Sequence, residues 1–204
     1  MRIVGQRNRL TADHFLLMRI PRRFWEVKFD QIEPHLQGII RNYLQNLDDM
    51  LDSGSGLLLA GENGVGKTSA ACFVAREVRR TGASVFMITA AGLIESVIEK
   101  AEVEDGLVID RARSVDFLLL DDLGKEHAGK SQFADRVLEN LIRERSAAHL
   151  TTFVTTNMSI EKLSERYKIS MLEVMKETVL PVKVEGENYR EAAQKNLSKA
   201  LSVV

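Results

Sequence analysis

The stretch Gly61-Glu-Asn-Gly-Val-Gly-Lys-Thr68 decides how this 204-residue chain is read. It has the spacing of a phosphate-binding loop: Gly, four residues, then Gly-Lys-Ser/Thr. Glycines at 61, 64 and 66 let the backbone turn sharply and bring its N–H groups to phosphate oxygens. Lys67 can reach the β- and γ-phosphates, and the Thr68 hydroxyl can ligate Mg²⁺. The flanks fit this reading. Gly56-Leu-Leu-Leu-Ala60 is a short apolar run expected to form a buried strand, and residues 67–80 read as a helix whose N-terminus turns its dipole towards the anion. The nucleotide-binding segment then comprises Gly61, Glu62, Asn63, Gly64, Val65, Gly66, Lys67, Thr68 and Ser69, with a nucleotide's phosphates as ligand and Mg²⁺ as their ion.

Composition narrows the classes. A chain with 45% hydrophobic and 28% charged residues is globular, and its length suits one domain with a full core. A net charge of −1 argues against a wholly basic protein that coats nucleic acid, while leaving room for a local basic patch. The single cysteine, Cys72, excludes a disulfide framework within one chain and reads as a small core residue. The longest apolar runs, such as Phe15–Met18 and Phe117–Leu120, are too short to span a bilayer. The N-terminus lacks the long apolar run and cleavage site of a signal peptide, so a soluble, cytoplasmic protein is expected.

Residues 1–35 form a basic arm, with Arg2, Arg7, Arg9, Arg19, Arg22, Arg23 and Lys28 against Asp13 and Glu26. Two readings stay open: an arm that touches nucleic acid or an acidic partner, or a solvated lead-in to the domain. Pro21, Phe24 and Trp25 suggest an extended segment laid over the core. Residues 36–204 are assigned to the nucleotide-binding domain. Leu36, Ile39, Ile40, Tyr43, Leu44 and Leu47 have helical spacing, as do Ala71, Val74, Ala75 and Val78, and Gly82 ends the second of these helices. Strands are expected at 84–89, 117–120, 151–156 and 179–184, and Pro181 confines the last to a sheet edge. Helices are expected around Leu93–Ala101, Phe133–Ile142 and, as one or two pieces, 159–177. A short helix is expected from Glu187 onward. Strands alternating with helices imply a three-layer α/β sandwich with a largely parallel sheet.

A phosphate loop alone means binding; hydrolysis needs acids beside it. Phe117-Leu-Leu-Leu-Asp121-Asp122 supplies a buried strand ending in two carboxylates. Asp121 can hold Mg²⁺, directly or through water, and Asp122 can polarise an attacking water. Thr155-Thr-Asn157 ends a third strand with an amide able to bond both a γ-phosphate and that water.

Taken together, Gly56–Thr68, Leu118-Leu-Leu-Asp-Asp-Leu-Gly-Lys-Glu126, Thr155-Thr-Asn157 and Glu187-Asn-Tyr-Arg190 resemble the AAA+ ATPases of the DnaC/IstB group, over roughly residues 20–195. That group holds replicative helicase loaders and the ATP-dependent helpers of certain transposases. The resemblance implies a P-loop sandwich with a five-stranded, mostly parallel sheet of AAA+ type, in which the Asn157 strand lies between the loop strand and the Asp121 strand. It also implies Asn157 as a first sensor and Arg190 as a second, cis-acting sensor on the γ-phosphate. The catalytic set is then Lys67, Asp122, Asn157 and Arg190, with Thr68 and Asp121 as metal ligands.

Two departures stand out. Where the group carries an arginine that reaches a neighbouring subunit's ATP, Lys168-Ile-Ser-Met-Leu-Glu-Val-Met175 has Val174. An arginine finger is worth about 10³–10⁵ in rate, so hydrolysis is expected to be weak unless Arg143, Arg145, Arg166, Lys176 or a partner substitutes. The short N-terminus leaves little room for a helicase-binding domain, and about 20 residues after the last strand imply a reduced or absent helical lid. The leading expectation is Mg²⁺-dependent ATP hydrolysis coupled to assembly on DNA, or to loading of a helicase or transposase, with ATP-dependent self-assembly. The alternative is a nucleotide-gated binding module with little hydrolysis. A small-molecule kinase is disfavoured, since no arginine-rich lid is seen. Aromatics are only 6% of the chain, so DNA contact would rest on Lys and Arg at phosphates rather than on stacking.

Overall fold

The computed structural model describes residues 8–103, 106–126, 131–167 and 169–191, with the isolated positions 194 and 198. Seven strands form among them: β1 (Gly56–Ala60), β2 (Val85–Thr89), the two-residue strands β3 (Glu102–Val103) and β4 (Gly106–Leu107), β5 (Phe117–Leu123), β6 (Thr151–Thr156) and β7 (Val179–Lys183). Five of them make one sheet in the order β2-β5-β6-β1-β7, with every neighbouring pair parallel. The expected order is therefore found, with β6 between β1 and β5 and the proline-bearing β7 at an edge. The antiparallel β3–β4 pair was not expected from sequence; two residues per strand are too few to show a period.

The helices are α1 (Ala12–Leu17), α2 (Pro34–Gln45), α3 (Leu47–Asp52), α4 (Lys67–Arg80), α5 (Ala90–Glu99), α6 (Val108–Ser114), α7 (Ser131–Ala147), α8 (Ile160–Arg166) and α9 (Ile169–Thr178). Alternate strand residues face opposite layers. Leu57, Leu59, Val85, Met87, Phe117 and Leu119 pack with α1, α2 and α4. Leu58, Phe86, Ile88, Leu118, Leu120 and Val154 pack with α5 to α9. This is the three-layer sandwich, and burial on both faces explains why β5 reads as an unbroken apolar run. Cys72 is a buried free thiol within α4. Among the described residues, no helix is long and apolar enough to cross a membrane.

The basic N-terminal segment is packed from α1 onward. Phe15, Met18, Ile20 and Ile32 are buried in the same core as α4. Phe15 stacks on Trp25 with ring centroids 4.9 Å apart. The Met87 amide donates to the Met18 carbonyl at 2.8 Å, so the segment covers the β2 edge of the sheet. Arg76 of α4 donates to the carbonyls of Trp25 and Val27 at 3.1 and 2.8 Å. Arg19, Arg22 and Arg23 thus ride on a scaffold fixed to the domain, while Arg2 and Arg7 lie outside the described residues.

Arg145 corrects one expectation. It is 1% exposed, and its guanidinium donates to the carbonyls of Ala112, Arg113, Val115 and Thr151 and to the Thr152 hydroxyl. Burial pushes it down to about 9, against the opposing pull of Asp116, and it stays charged at neutral pH. It joins the end of α6 to β6 and cannot reach a neighbouring subunit. We predict that Arg145→Ala lowers unfolding free energy by about 3–5 kcal/mol, because it strands buried carbonyls and opens a void. Arg143→Ala, at a half-exposed surface pair with Glu139, should change it by less than about 1 kcal/mol. Denaturant melts of both variants check this, and equal effects would contradict it.

Candidate functional site

The loop after β1 is built by main-chain conformation. Gly64 and Gly66 have φ of 86° and 89°, values that a residue with a Cβ adopts only under strain. Between them Val65 turns into the core at 4% exposure and pins the loop from below. Gly66 is the N-cap of α4, whose first residue is Lys67. The side chains of Glu62 and Asn63 point outward. Of the expected segment, Gly64, Gly66, Lys67, Thr68 and Ser69 line a cavity of about 310 Å³ together with Asp122, Asn157 and Arg190.

Lys67 is buried at 5% exposure and makes three hydrogen bonds, to the carbonyls of Gly61 and Glu62 at 2.8 and 2.5 Å and to Asn157 Oδ1 at 2.8 Å. Burial lowers its affinity for the proton most; Asp122 and Asp121 oppose that, while Lys125 and Arg190 add to it. An ammonium held in this way is ready to turn towards an anion of higher charge than a carbonyl.

Asp121 and Asp122 owe their places to a bulge. Leu120 and Leu123 of β5 pair with Val154 and Thr156 of β6, three steps against two. Asp122 absorbs the extra residue with φ 58°. Threonines of β6 hold the distortion in place. The Thr155 hydroxyl donates to Asp121 Oδ1 at 2.5 Å and accepts the Asp122 amide at 3.0 Å, while the Thr156 hydroxyl donates to the Leu123 carbonyl at 2.7 Å. The Thr68 hydroxyl donates to Asp121 Oδ1 at 2.9 Å, so the two expected metal ligands meet across the sheet and helix. Asp122 accepts from Asn157 Nδ2 at 3.2 Å and pairs with Lys125 at 2.9 Å. Every residue expected to act is thus gathered at the C-terminal end of the sheet.

The oxygen donors suit a hard, small cation: one hydroxyl and one carboxylate, in reach of each other, leave most positions to water and phosphate. Among the described residues no cluster of three or more His, Cys, Asp or Glu could hold a metal unaided. Such a pair would fit Mg²⁺ only if other oxygen ligands completed its shell.

A family model described as IstB-like ATP binding protein matches residues 17–197. The chain belongs to this family. It is similar to the replicative helicase loader DnaI of Bacillus subtilis, 25% identical over 167 residues, which are 72% of this chain and 53% of DnaI. It is similar also to the replicative helicase loader DnaC of Escherichia coli, 22% identical over 128 residues, which are 61% of this chain and 50% of DnaC. The chain therefore spans about half the length of the curated relatives it matches. Its fold resembles that of a DnaC helicase loader, with TM-score 0.69, 21% identity, and 81% and 100% of the two chains covered. It resembles also, less closely, a DnaA replication initiator bound to AMPPCP and single-stranded DNA, with TM-score 0.64, 15% identity, and 88% and 56% covered. The fold is the AAA+ type of P-loop sandwich.

In this IstB-like chain Val174 is half-buried on α9, packed against the core formed by α5 to α9. The nearby cations are engaged locally. Arg166 pairs with Asp135 at 2.9 Å, Arg143 with Glu139 at 3.2 Å and Lys176 with Glu173 at 2.6 Å. Sequence reasoning missed five residues of the cavity wall: Arg23, Phe24, Val27, Gln31 and Tyr189. The first four belong to the segment read as a basic arm; their only signal was the aromatic cluster after Pro21. It also missed Glu126, whose carboxylate is buried, accepts from the Gly124 amide at 2.8 Å and bonds the Tyr167 hydroxyl, fixing the turn that follows Asp122.

Burial raises the Asp121 carboxyl above the usual carboxylate range; the hydroxyls of Thr155 and Thr68 hold it down in part, and the charge of Asp122 pushes it up again. The folded state therefore holds this proton more tightly than the unfolded chain does. Stability is lost as pH rises from the ordinary aspartate range through the raised folded value, and that loss persists above it. We predict that Asp121→Asn, whose carbonyl still accepts both hydroxyls, makes the metal-free protein more stable at neutral pH, with the gain shrinking in mild acid. Thermal melts in chelator across pH check the sign, and a destabilised variant at neutral pH would contradict it.

Proposed function

We propose that this IstB-like protein binds ATP with Mg²⁺ in the cavity beside residues 61–69 and hydrolyses it slowly, coupling that cycle to assembly on DNA or to loading of a DNA enzyme. The single observation that carries the reading is the convergence of Lys67, Thr68, Asp121, Asp122 and Asn157 within one hydrogen-bonded set at the end of the sheet. The amides of the loop and the start of α4 would take the β-phosphate, and Lys67 would leave its carbonyl partners for the β- and γ-phosphates. Thr68 and Asp121 would hold Mg²⁺, which would neutralise charge developing between the β- and γ-oxygens. Asp122 would orient and deprotonate the attacking water. Its pairing with Lys125 is half-exposed and worth at most about 1 kcal/mol, so it yields readily. Asn157, bonded to both Lys67 and Asp122, would sense the γ-phosphate, and Arg190 would meet it from the other side. Phe24, Val27 and Gln31 would form the side of the cavity that takes the base.

Helicase loading is proposed on the likeness to the replicative helicase loaders DnaI and DnaC. Service to a transposase is proposed on the resemblance of the motifs to the DnaC/IstB group alone. A helicase or transposase, DNA met by basic side chains of the 1–35 arm, and further copies of the chain would be the partners. A second reading has its own support. Val174 at the finger position carries no charge and Arg145 is built into the core, which favours a nucleotide-gated binding module.

Lys67→Ala should weaken ATP binding at least about a hundredfold, because several charge-assisted bonds are lost at once. Equilibrium titration with a fluorescent ATP analogue measures it, and unchanged affinity would refute the site. Asp122→Asn should leave affinity within a few-fold while lowering turnover about 10²–10⁴-fold. Steady-state phosphate release, with and without single-stranded DNA, gives the wild-type reference. No release under either condition would favour the gated module over the ATPase.

A further inference from the structure

Residues 186–190 lie across the phosphate-binding loop and tie it to the start of α2. The Tyr189 amide donates to the Gly64 carbonyl at 3.1 Å, and a Cβ added at Gly66 would stand 3.5 Å from the Tyr189 ring. The Asn188 side chain abuts Gly64 so closely that a Cβ there would collide with its amide oxygen. That oxygen also accepts the Arg190 amide at 3.1 Å, while Asn188 Nδ2 donates to Glu191 Oε1 at 2.9 Å. This turn fixes the direction in which the chain passes from Tyr189 to Arg190.

The Tyr189 hydroxyl donates to Glu33 Oε2 at 2.8 Å, across 156 positions of sequence. Glu33 immediately precedes α2, and its carboxylate rests on Gly186, where an added Cβ would stand 2.6 Å from Oε2. Only glycine gives the carboxylate that approach. Burial, and after it the Glu33 carboxylate, keep the Tyr189 hydroxyl protonated and so a donor. A parallel tie runs from His35 Nε2 to the Lys183 carbonyl at 2.7 Å. Gln31, two residues before Glu33, lines the same cavity as Tyr189 and Arg190. The hydrogen bond thus joins two walls of one cavity.

We propose that Glu33 and Tyr189 are positioning residues, whose hydrogen bond sets where the Arg190 guanidinium stands over the loop and so favours a nucleoside triphosphate over a diphosphate. The inference rests on the nucleotide reading above. A long side chain on an exposed strap gains little from a distant phosphate unless the backbone that carries it is already fixed. The phosphates nearer the loop are served by main-chain amides and Lys67, and removing the Tyr189 hydroxyl or the Glu33 carboxylate leaves the Tyr189 amide bond to the Gly64 carbonyl in place. Loss of the tie should therefore be felt at the γ-phosphate alone.

The test is equilibrium titration of the full chain with Mg²⁺ and either ADP or a non-hydrolysable ATP analogue. Tyr189→Phe and Glu33→Ala should each weaken the analogue about five- to tenfold and leave ADP within about twofold. The double variant should be no weaker than either single one, because both remove the same bond. Glu33→Gln keeps an acceptor and should restore most of the loss. Arg190→Ala should show the same selective loss. Should Tyr189→Phe fold poorly, the Glu33 pair carries the test. Equal loss of both nucleotides, additive effects, or wild-type behaviour of Tyr189→Phe and Glu33→Ala would overturn the inference. Failure of the wild-type protein to bind either nucleotide is a different outcome, since it would overturn the nucleotide reading beneath it.

Discussion

The site depends on a buried ammonium. Lys67 sits at the first position of α4 and bonds the carbonyls of Gly61 and Glu62 and the amide of Asn157. These bonds close the loop on itself and fasten it to the end of β6. An ammonium at 5% exposure is costly unless its donors are met, and meeting them fixes the loop's geometry. Gly64 and Gly66, with positive φ, let the chain turn around that cation without strain. Val65 anchors the turn in the core. The same arrangement that satisfies Lys67 leaves loop amides and a helix N-terminus directed at one cavity, where a polyphosphate is the natural counter-charge.

Around this centre, threonine serves two ends. Thr151, Thr152, Thr155 and Thr156 are β-branched and fully or nearly buried, which suits a central strand. Their hydroxyls then do what an aliphatic strand could not. Thr152 receives Arg145, Thr155 holds Asp121 and the Asp122 amide, and Thr156 caps the bulge at Leu123. The two acids are placed by a distortion of β5, and the distortion is stabilised by the neighbouring strand. Asp121 is an acid whose ionised form burial disfavours and a cation would relieve, a common condition at functional sites.

Much of this was legible in the sequence because the strongest signals coincide with the chemistry. The glycine spacing before Lys67, the apolar run before Asp121 and the threonine run before Asn157 each mark a strand end, and parallel strands bring such ends together. The strand order came from family resemblance, since pattern alone does not say which strands are neighbours. The N-terminal segment read as a basic arm because its charges are numerous and its apolar residues follow no helical or strand period. In the structure Phe15 reaches the core from the short helix α1, and Met18, Ile20 and Ile32 from the turns around and after it, while Phe24 and Val27 wall the cavity. Arg145 looked like any helix arginine; only the fold brings four carbonyls around it. The Glu33–Tyr189 bond was invisible for the same reason, as its partners lie 156 positions apart. The helix expected from Glu187 onward falls largely outside the described residues.

The central claim is that one cavity holds a polyphosphate between the loop amides and the metal-binding pair Thr68 and Asp121. A crystal structure determined with Mg²⁺ and a non-hydrolysable ATP analogue tests it most directly. The account predicts the β-phosphate at the start of α4, the ion between the Thr68 hydroxyl and the Asp121 carboxylate, and Lys67 turned from its carbonyl partners to the phosphates. A nucleotide bound elsewhere, or a loop that keeps Lys67 on Gly61 and Glu62 at saturating analogue, would contradict it.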